Sequence, residues 1–201
     1  MTTLFTTRLE LHPMTVPFVE AVVAGHRALA EELARARLPD LWPGRALIER
    51  AFSASLERIR EAPGAHLWGH RLMITRHGER FVVGSVVFHN EPDESGTVEI
   101  AYGVEGESQG KGYATEAVMA SLEWALDQPR VTRVTATTFP WHARSRRVIA
   151  KCGMVPVDTV EHETMGEMLV FERRRESQPQ CGQPPHFGDT MHKMGSSSLS
   201  T

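Results

Sequence analysis

The stretch that most constrains this chain covers residues 99–117, where the pattern predicts a strand, a glycine-rich turn and the start of a helix. Gly110 and Gly112 flank Lys111, and a run of helix-forming residues follows. Glycine lets the backbone approach a ligand closely because it has no Cβ. The first N–H groups of a helix lack intrahelical partners and carry partial positive charge. We therefore predict that residues 109–115 form a seat for an anion, most naturally the pyrophosphate of a cofactor.

The elements around this turn predict a mixed α/β domain. Apolar and β-branched runs follow one another with short turns before the glycines, which is typical of an antiparallel meander. A helix and a further strand come after the glycines, so the centre of the chain predicts a βαβ unit attached to that meander. The predicted strands are 4–13, 66–75, 81–88, 97–104, 131–138, 154–160 and 168–173, and the predicted helices begin at Thr15, at Ala46, after Gly112 and at His142.

Composition narrows the class of protein. The chain has 201 residues, of which 41% are hydrophobic and 23% charged, and this suits one globular domain with a substantial core. The net charge of −3 provides no general basic field, so we expect no nucleic-acid partner. The sequence shows neither an apolar stretch of about 18 residues nor a signal-peptide pattern, so we expect no membrane span and a cytoplasmic protein.

The cysteines and the C-terminal composition add two expectations. Cys152 and Cys181 match neither a disulfide framework nor a zinc site, so we expect free thiols and no metal. From Glu176 onward the chain is rich in Pro, Gly, Ser and Gln. We therefore expect a folded domain over residues 1–175 and a flexible tail over 176–201, unless the tail orders on the site or on a partner.

The glycine turn alone does not decide the function. It is not a Walker A loop, because no Gly-x-x-x-x-Gly-Lys-Ser/Thr pattern is present. It is also a poor dinucleotide fingerprint, because Thr115 stands where a third Gly or Ala is required. Taken by itself, the turn is equally typical of a tight connection between a strand and a helix.

Comparison of longer sequence segments with known family motifs adds a family resemblance. The segment Gln109-Gly-Lys-Gly-Tyr-Ala114 is similar to the Arg/Gln-x-x-Gly-x-Gly/Ala signature of the GNAT acetyltransferase superfamily. The flanking Glu-Ile-Ala-Tyr-Gly-Val from Glu99 resembles the branch that includes ribosomal-protein N-terminal acetyltransferases. A second segment, His142 to Met154, is similar to that branch's Asn-x-x-Ser-x-x-Val-x-x-Lys-x-Gly-Phe. The resemblance extends from about residue 6 to 174.

The resemblance implies a fold and a cofactor. It implies the GNAT fold, a mostly antiparallel twisted sheet of six to seven strands with one splayed pair, flanked by about four helices. It also implies acetyl-CoA as co-substrate, no metal, and a primary amine as acceptor, either a peptide N-terminus or a small molecule. A backbone N–H near Gly103 or Val104 would bind the thioester oxygen. The remaining residues that it implies for the cofactor are Gln109, Gly110, Lys111, Gly112, Tyr113, Ala114, Thr115, His142 and Ser145.

Three carboxylates and one serine are candidates for acid–base chemistry. Glu99 lies on the strand that leads into the predicted cleft, and it is the lead candidate for the base that deprotonates the amine; the alternative is an ordinary strand carboxylate. Glu161 and Glu163 are weaker candidates. Many family members use a tyrosine to protonate the leaving thiolate, but the matching position here is Ile149. The resemblance instead implies that role for Ser145, which is otherwise a helix-surface serine.

Several alternatives stay open on sequence alone. Arg144, Arg146 and Arg147 either reach the 3′-phosphate of coenzyme A or form a solvated helix face. The chain is either a catalyst or a non-catalytic CoA-binding module, and another donor such as succinyl-CoA is conceivable. It is either a monomer or a homodimer. Four tryptophan and phenylalanine side chains either line the acceptor pocket or pack in the core, and these are Trp42, Phe52, Trp68 and Trp141.

Overall fold

A computed structural model of the chain describes residues 2–40, 56, 57, 59, 61, 67–89, 91–162 and 166–176. Most of the helix predicted over 46–60 and all of the tail from 177 lie outside the described residues. The same is true of Trp42, Phe52, Glu163 and Cys181.

The described strands and helices follow one another along the chain in short groups. The strands are β1 (Leu4–Phe5), β2 (Leu9–Pro13), β3 (Arg71–Thr75), β4 (Val82–Phe88), β5 (Thr97–Val104), β6 (Arg133–Thr138), β7 (Val155–His162) and β8 (Gly166–Arg174). The helices are α1 (Val16–Val23), α2 (Arg27–Ala34), α3 (Tyr113–Leu126) and α4 (Ala143–Lys151), with a 3-10 turn at Gly106–Ser108.

The strands form one sheet in the order β1-β2-β3-β4-β5-β6-β8-β7. Every neighbouring pair is antiparallel except β5 and β6, which are parallel because α3 connects them as a crossover. The meander, the βαβ unit and the final hairpin are therefore all confirmed.

Two hydrophobic layers cover the sheet. One layer packs α3 and α4 on one face, with Val118, Leu122 and Ile149 fully buried. The other packs α1 and α2 on the opposite face, with Phe18 and Leu72 buried. All seven residues of β4 are buried between these layers, which explains why its sequence is almost continuously apolar.

The boundaries differ from the predictions in two places. The predicted first strand divides into β1 and β2, which raises the number of strands to eight. The strand predicted from His66 begins only at Arg71, because Trp68 and Gly69 form a turn in which Gly69 has φ +72°. The predicted start of α1 is confirmed, since the Thr15 side chain accepts a hydrogen bond from the Phe18 N–H.

Candidate active site

A wedge opens in the sheet between β5 and β6. The two strands pair only from Thr97 opposite Arg133 to Glu99 opposite Thr135. Beyond that point β5 continues to Val104 against β4, and β6 continues to Thr138 against β8. The facing edges of the two strands therefore separate, and residues 100–104 and 136–138 form the walls of this wedge.

Strand alternation decides which backbone groups of β5 face the wedge. The His89 N–H donates to the Glu99 carbonyl at 3.0 Å and the Glu105 N–H donates to the Val83 carbonyl at 2.9 Å, so the odd-numbered residues of this strand bond to β4. The backbone groups of Tyr102 and Val104 point the other way, into the wedge. Of the two N–H groups that the sequence left open, that of Val104 is the one directed there. Gly103 contributes space instead, because a Cβ added to it would meet no atom within 4 Å.

The glycine turn lies at the mouth of this wedge. Gly110 and Gly112 have φ values of +77° and +86°, a backbone region that side chains other than glycine rarely adopt. Gly112 is the N-cap of α3, so the N–H groups of the first turn of that helix are directed toward the turn. Lys111 between the glycines is exposed. This local geometry is the one predicted for an anion seat.

The side chain of Gln109 joins the turn to both neighbouring elements. Its Nε2 donates to the Val104 carbonyl at 3.0 Å, and its Oε1 accepts from Arg144 Nη1 at 2.8 Å. Arg144 is thus the arginine of α4 that reaches the turn. Arg146 and Arg147 instead donate to backbone carbonyls near their own helix, those of Pro140 and Ala143.

Thr6 and Arg8, in the turn between β1 and β2, form a hydrogen-bonded clamp with Glu116 that holds the start of α3. The sequence did not predict this clamp. Glu116 accepts from Thr6 Oγ1 at 2.6 Å and from Arg8 Nε at 2.7 Å. Arg8 also donates to the Lys111 carbonyl at 2.8 Å. Burial by itself would raise the pKa of Glu116, but these hydrogen bonds outweigh it and hold the pKa below its ordinary value. No local signal predicts this contact, because it joins residues more than 100 positions apart.

Glu99 lies where the wedge begins, on the face of the sheet that carries α1 and α2. It is the last residue of β5 paired with β6, and Thr137 Oγ1 donates to Glu99 Oε1 at 2.7 Å. Its neighbour on the same face, Ala101, packs against the α1–α2 core. The carboxylate is half-buried and fixed at the branch point, which is compatible with either of the interpretations that the sequence allowed.

Ser145 lies on the opposite face, in the first turn of α4, and bonds to a residue that sequence reasoning gave no role. Tyr102 Oη lies 3.0 Å from Ser145 Oγ and donates to the Ser145 carbonyl at 3.2 Å. Burial raises the pKa of Tyr102 to about 12, although the hydrogen bond with Ser145 acts in the other direction. Tyr102 stood inside the quoted motif, but only the fold shows that its side chain spans the wedge.

The remaining candidate side chains differ in their exposure to solvent and in their packing. His142 is the exposed N-cap residue of α4 and stacks on Trp141, which is 73% exposed. Trp68 packs against Phe88 and Trp124 in the interior, as core packing predicts. Glu161 is exposed on β7.

Two neighbouring side chains of this region are buried and unreactive. Ile149, at the position of the usual tyrosine, is 1% exposed. Burial raises the pKa of the Cys152 thiol to about 11, so it stays protonated. Within the described part of the chain, no cluster of three His, Cys, Asp or Glu side chains is arranged to hold a metal ion, and no helix is long and apolar enough to span a bilayer.

The arrangement therefore combines an open strand edge and a glycine turn at a helix start with two polar groups on opposite faces. The sequence model of the acetyltransferase (GNAT) domain matches residues 8–155. This match covers most of the chain, which belongs to the GNAT family and is an acetyltransferase.

Individual relatives agree with this assignment. The uncharacterized N-acetyltransferase YjdG of Bacillus subtilis (strain 168) is 27% identical over 157 residues, covering 77% of this chain and 90% of YjdG. The structure of the ribosomal-protein-S5-alanine acetyltransferase of Vibrio fischeri has a TM-score of 0.61 at 14% identity, over 89% of this chain and 100% of that one. RimL, a ribosomal L7/L12 alpha-N-protein acetyltransferase in complex with coenzyme A, has a TM-score of 0.60 at 14% identity, over 86% and 98%. At these identities the two structures establish the fold alone.

Proposed function

We propose that this protein is an acetyl-CoA-dependent N-acetyltransferase that acts on a primary amine, either a peptide N-terminus or a small-molecule amine, by direct attack on the thioester. The observation that carries the proposal is the wedge itself. Its β5 edge is open, its mouth holds the glycine turn, and Glu99 and Ser145 lie at its two faces.

The residues present fit coenzyme A. The N–H groups of Tyr102 and Val104 and the Tyr102 carbonyl face the wedge and suit the amide groups of a pantetheine arm, whereas the Val104 carbonyl already accepts from Gln109. Gly103 leaves room beside them, since a Cβ there would point into open space. The N–H groups of residues 110–115 would hold the pyrophosphate, with Lys111 and Arg144 adding positive charge nearby. In the RimL structure coenzyme A is bound to the same fold, which supports this choice of cofactor.

Glu99 would remove the proton from the acceptor. An α-amino group has a pKa of about 7.7–8.0 and a lysine amine about 10.4, so most acceptors need a base at neutral pH. The Glu99 carboxylate is held by Thr137 and faces the α1–α2 side, so it would take the proton directly or through a water. The amine would then approach from that side.

The opposite face would receive the leaving group. When bound, acetyl-CoA supplies an acetyl group activated as a thioester. The Val104 N–H faces the wedge and would donate to the thioester oxygen as that oxygen gains negative charge, and a fixed dipole of this kind lowers the barrier. The new C–N bond forms as the C–S bond breaks, and the sulfur keeps the electron pair of that bond. Ser145 would donate a hydrogen bond to this thiolate from the α4 side.

The proposed class of acceptor is based on the names of two structural relatives. The two structural relatives named above are described as acting on ribosomal proteins, and this favours a peptide N-terminus. A small amine is the other candidate.

Thiol release from acetyl-CoA with a panel of amines tests the proposal. We expect turnover with at least one peptide bearing a free N-terminus or one small amine, and none with the same peptide acetylated beforehand. Tight acetyl-CoA binding without turnover on peptides, polyamines, amino acids and aminoglycosides would contradict catalysis and indicate a binding module. Faster turnover with succinyl-CoA would contradict the acetyl donor.

A further inference from the structure

Tyr102 connects the two walls of the wedge. Its backbone belongs to the open part of β5, and its hydroxyl reaches the first turn of α4, where it lies 3.0 Å from Ser145 Oγ. The ring packs against the buried core under α3 and α4, so its direction is fixed. The hydroxyl is thus held beside the group that would face the leaving sulfur.

The direction of the hydrogen bond matters for that group. Ser145 has one hydroxyl proton, and it cannot point at a sulfur atom while it is donated to Tyr102. If Tyr102 is the donor, with its proton shared between the Ser145 carbonyl at 3.2 Å and Ser145 Oγ at 3.0 Å, the serine proton is free to point into the wedge. Burial raises the pKa of Tyr102 to about 12, so the phenol keeps its proton and can act as the donor. The nearby titratable and charged groups are Cys152, whose thiol is buried and protonated, and Arg144, which bonds to Gln109.

We propose that Tyr102 is a positioning residue for the leaving thiolate: its hydroxyl proton is shared between the Ser145 carbonyl and Ser145 Oγ, and this leaves the Ser145 proton directed at the sulfur of coenzyme A. The proposal rests on the function proposed above. Neither side chain gives up its proton completely, because a thiolate whose conjugate thiol has a pKa of about 8.5 does not deprotonate a phenol with a pKa of about 12. The pair stabilises the thiolate by hydrogen bonds, and solvent later supplies the thiol proton.

The first readout is the pKa of the bound coenzyme A thiol, measured from thiolate absorbance during a pH titration. The complex with desulfo-CoA is the blank, which removes the contribution of the protein's own cysteines. We expect this pKa to be about one unit higher in Tyr102→Phe than in the unchanged protein, because one hydrogen bond to a charged group is lost. Ser145→Ala gives the same shift, and Ser95→Ala, which removes an exposed turn hydroxyl, gives none.

The second readout is kinetic. We expect Tyr102→Phe to lower kcat about tenfold and to change KM for acetyl-CoA less than about twofold. The double variant Tyr102→Phe/Ser145→Ala should be no slower than Ser145→Ala alone, because the tyrosine acts through the serine. Losses that multiply, or a thiol pKa equal in Tyr102→Phe and the unchanged protein, would overturn the proposal.

The two proposals fail in different ways. If the unchanged protein binds coenzyme A and Tyr102→Phe raises the thiol pKa as expected, but no amine is acetylated, the positioning role is supported and the proposed function is contradicted. If acetyl transfer occurs and Tyr102→Phe changes neither readout, the function stands and the positioning role falls. If the protein binds no coenzyme A at all, both are overturned.

Discussion

The two edges of β5 differ in how far their backbone groups are paired with a neighbouring strand. On one edge, residues 100–104 pair with β4, and the partners from Gly84 to Phe88 are buried. On the other edge, pairing with β6 ends at Glu99. The same strand therefore provides a sealed edge, where every backbone group serves the fold, and an open edge, where backbone groups are left for a ligand. The point at which pairing with β6 ends therefore decides how much of this strand edge is open.

The largest effect we expect comes from the residue at that branch point. Glu99→Gln keeps the shape of the side chain but removes the base, so kcat at neutral pH should fall about 10²-fold or more. Steady-state kinetics across a pH range measures the loss. The matched control Glu167→Gln alters an exposed strand carboxylate on β8 and should leave the rate unchanged. An unaltered rate and pH profile in Glu99→Gln would show that Glu99 is an ordinary strand carboxylate.

A pair of glycine substitutions compares the two edges directly. A side chain at Gly84 would collide with the Gly103 carbonyl on the sealed edge, so Gly84→Val should lower the free energy of unfolding by about 2–3 kcal/mol. Gly103→Val places its side chain in open space, so the fold should tolerate it while acetyl-CoA binding weakens about tenfold or more. Denaturant unfolding and calorimetric titration separate the two outcomes. Equal stability losses in both variants would mean that the open edge is structural as well.

The smallest effect concerns the clamp that holds α3 beside the open edge. Glu116 has a folded-state pKa below its ordinary value of 4.5, so its contribution to stability is present above that pH and is lost as the pH falls through the folded pKa. Glu116→Gln should therefore cost about 1 kcal/mol at neutral pH, and the difference should diminish as the pH falls through the lowered folded-state pKa of Glu116.

Unfolding measured at several pH values tests this pH dependence. Glu123→Gln, which alters an exposed carboxylate on the same helix, is the control and should show no such pH dependence. A Glu116→Gln deficit that persists unchanged into acid would show that packing, not charge, holds the clamp.

Much of the fold and the conformation of the glycine turn could be predicted, because local sequence decides them. Positive φ values at Gly110 and Gly112 require glycine, a helix start exposes its N–H groups, and a seven-residue apolar run such as β4 has to be buried on both faces. The hydrogen-bond partners of the polar side chains around the wedge could not be predicted from the sequence. The bonds from Thr137 to Glu99, from Tyr102 to Ser145 and from Arg8 to Glu116 join residues 38 or more positions apart.

The sequence by itself determined that a glycine turn over residues 109–112 leads into a helix start, because backbone conformation and helix polarity are local properties. Only the tertiary structure decided that β5 leaves β6 after Glu99, that Val104 and not Gly103 turns its N–H into the gap, and that Tyr102 reaches Ser145. The physical reason is that strand register and splay result from packing two layers of helices on one sheet. That balance is set by contacts between residues far apart in the chain.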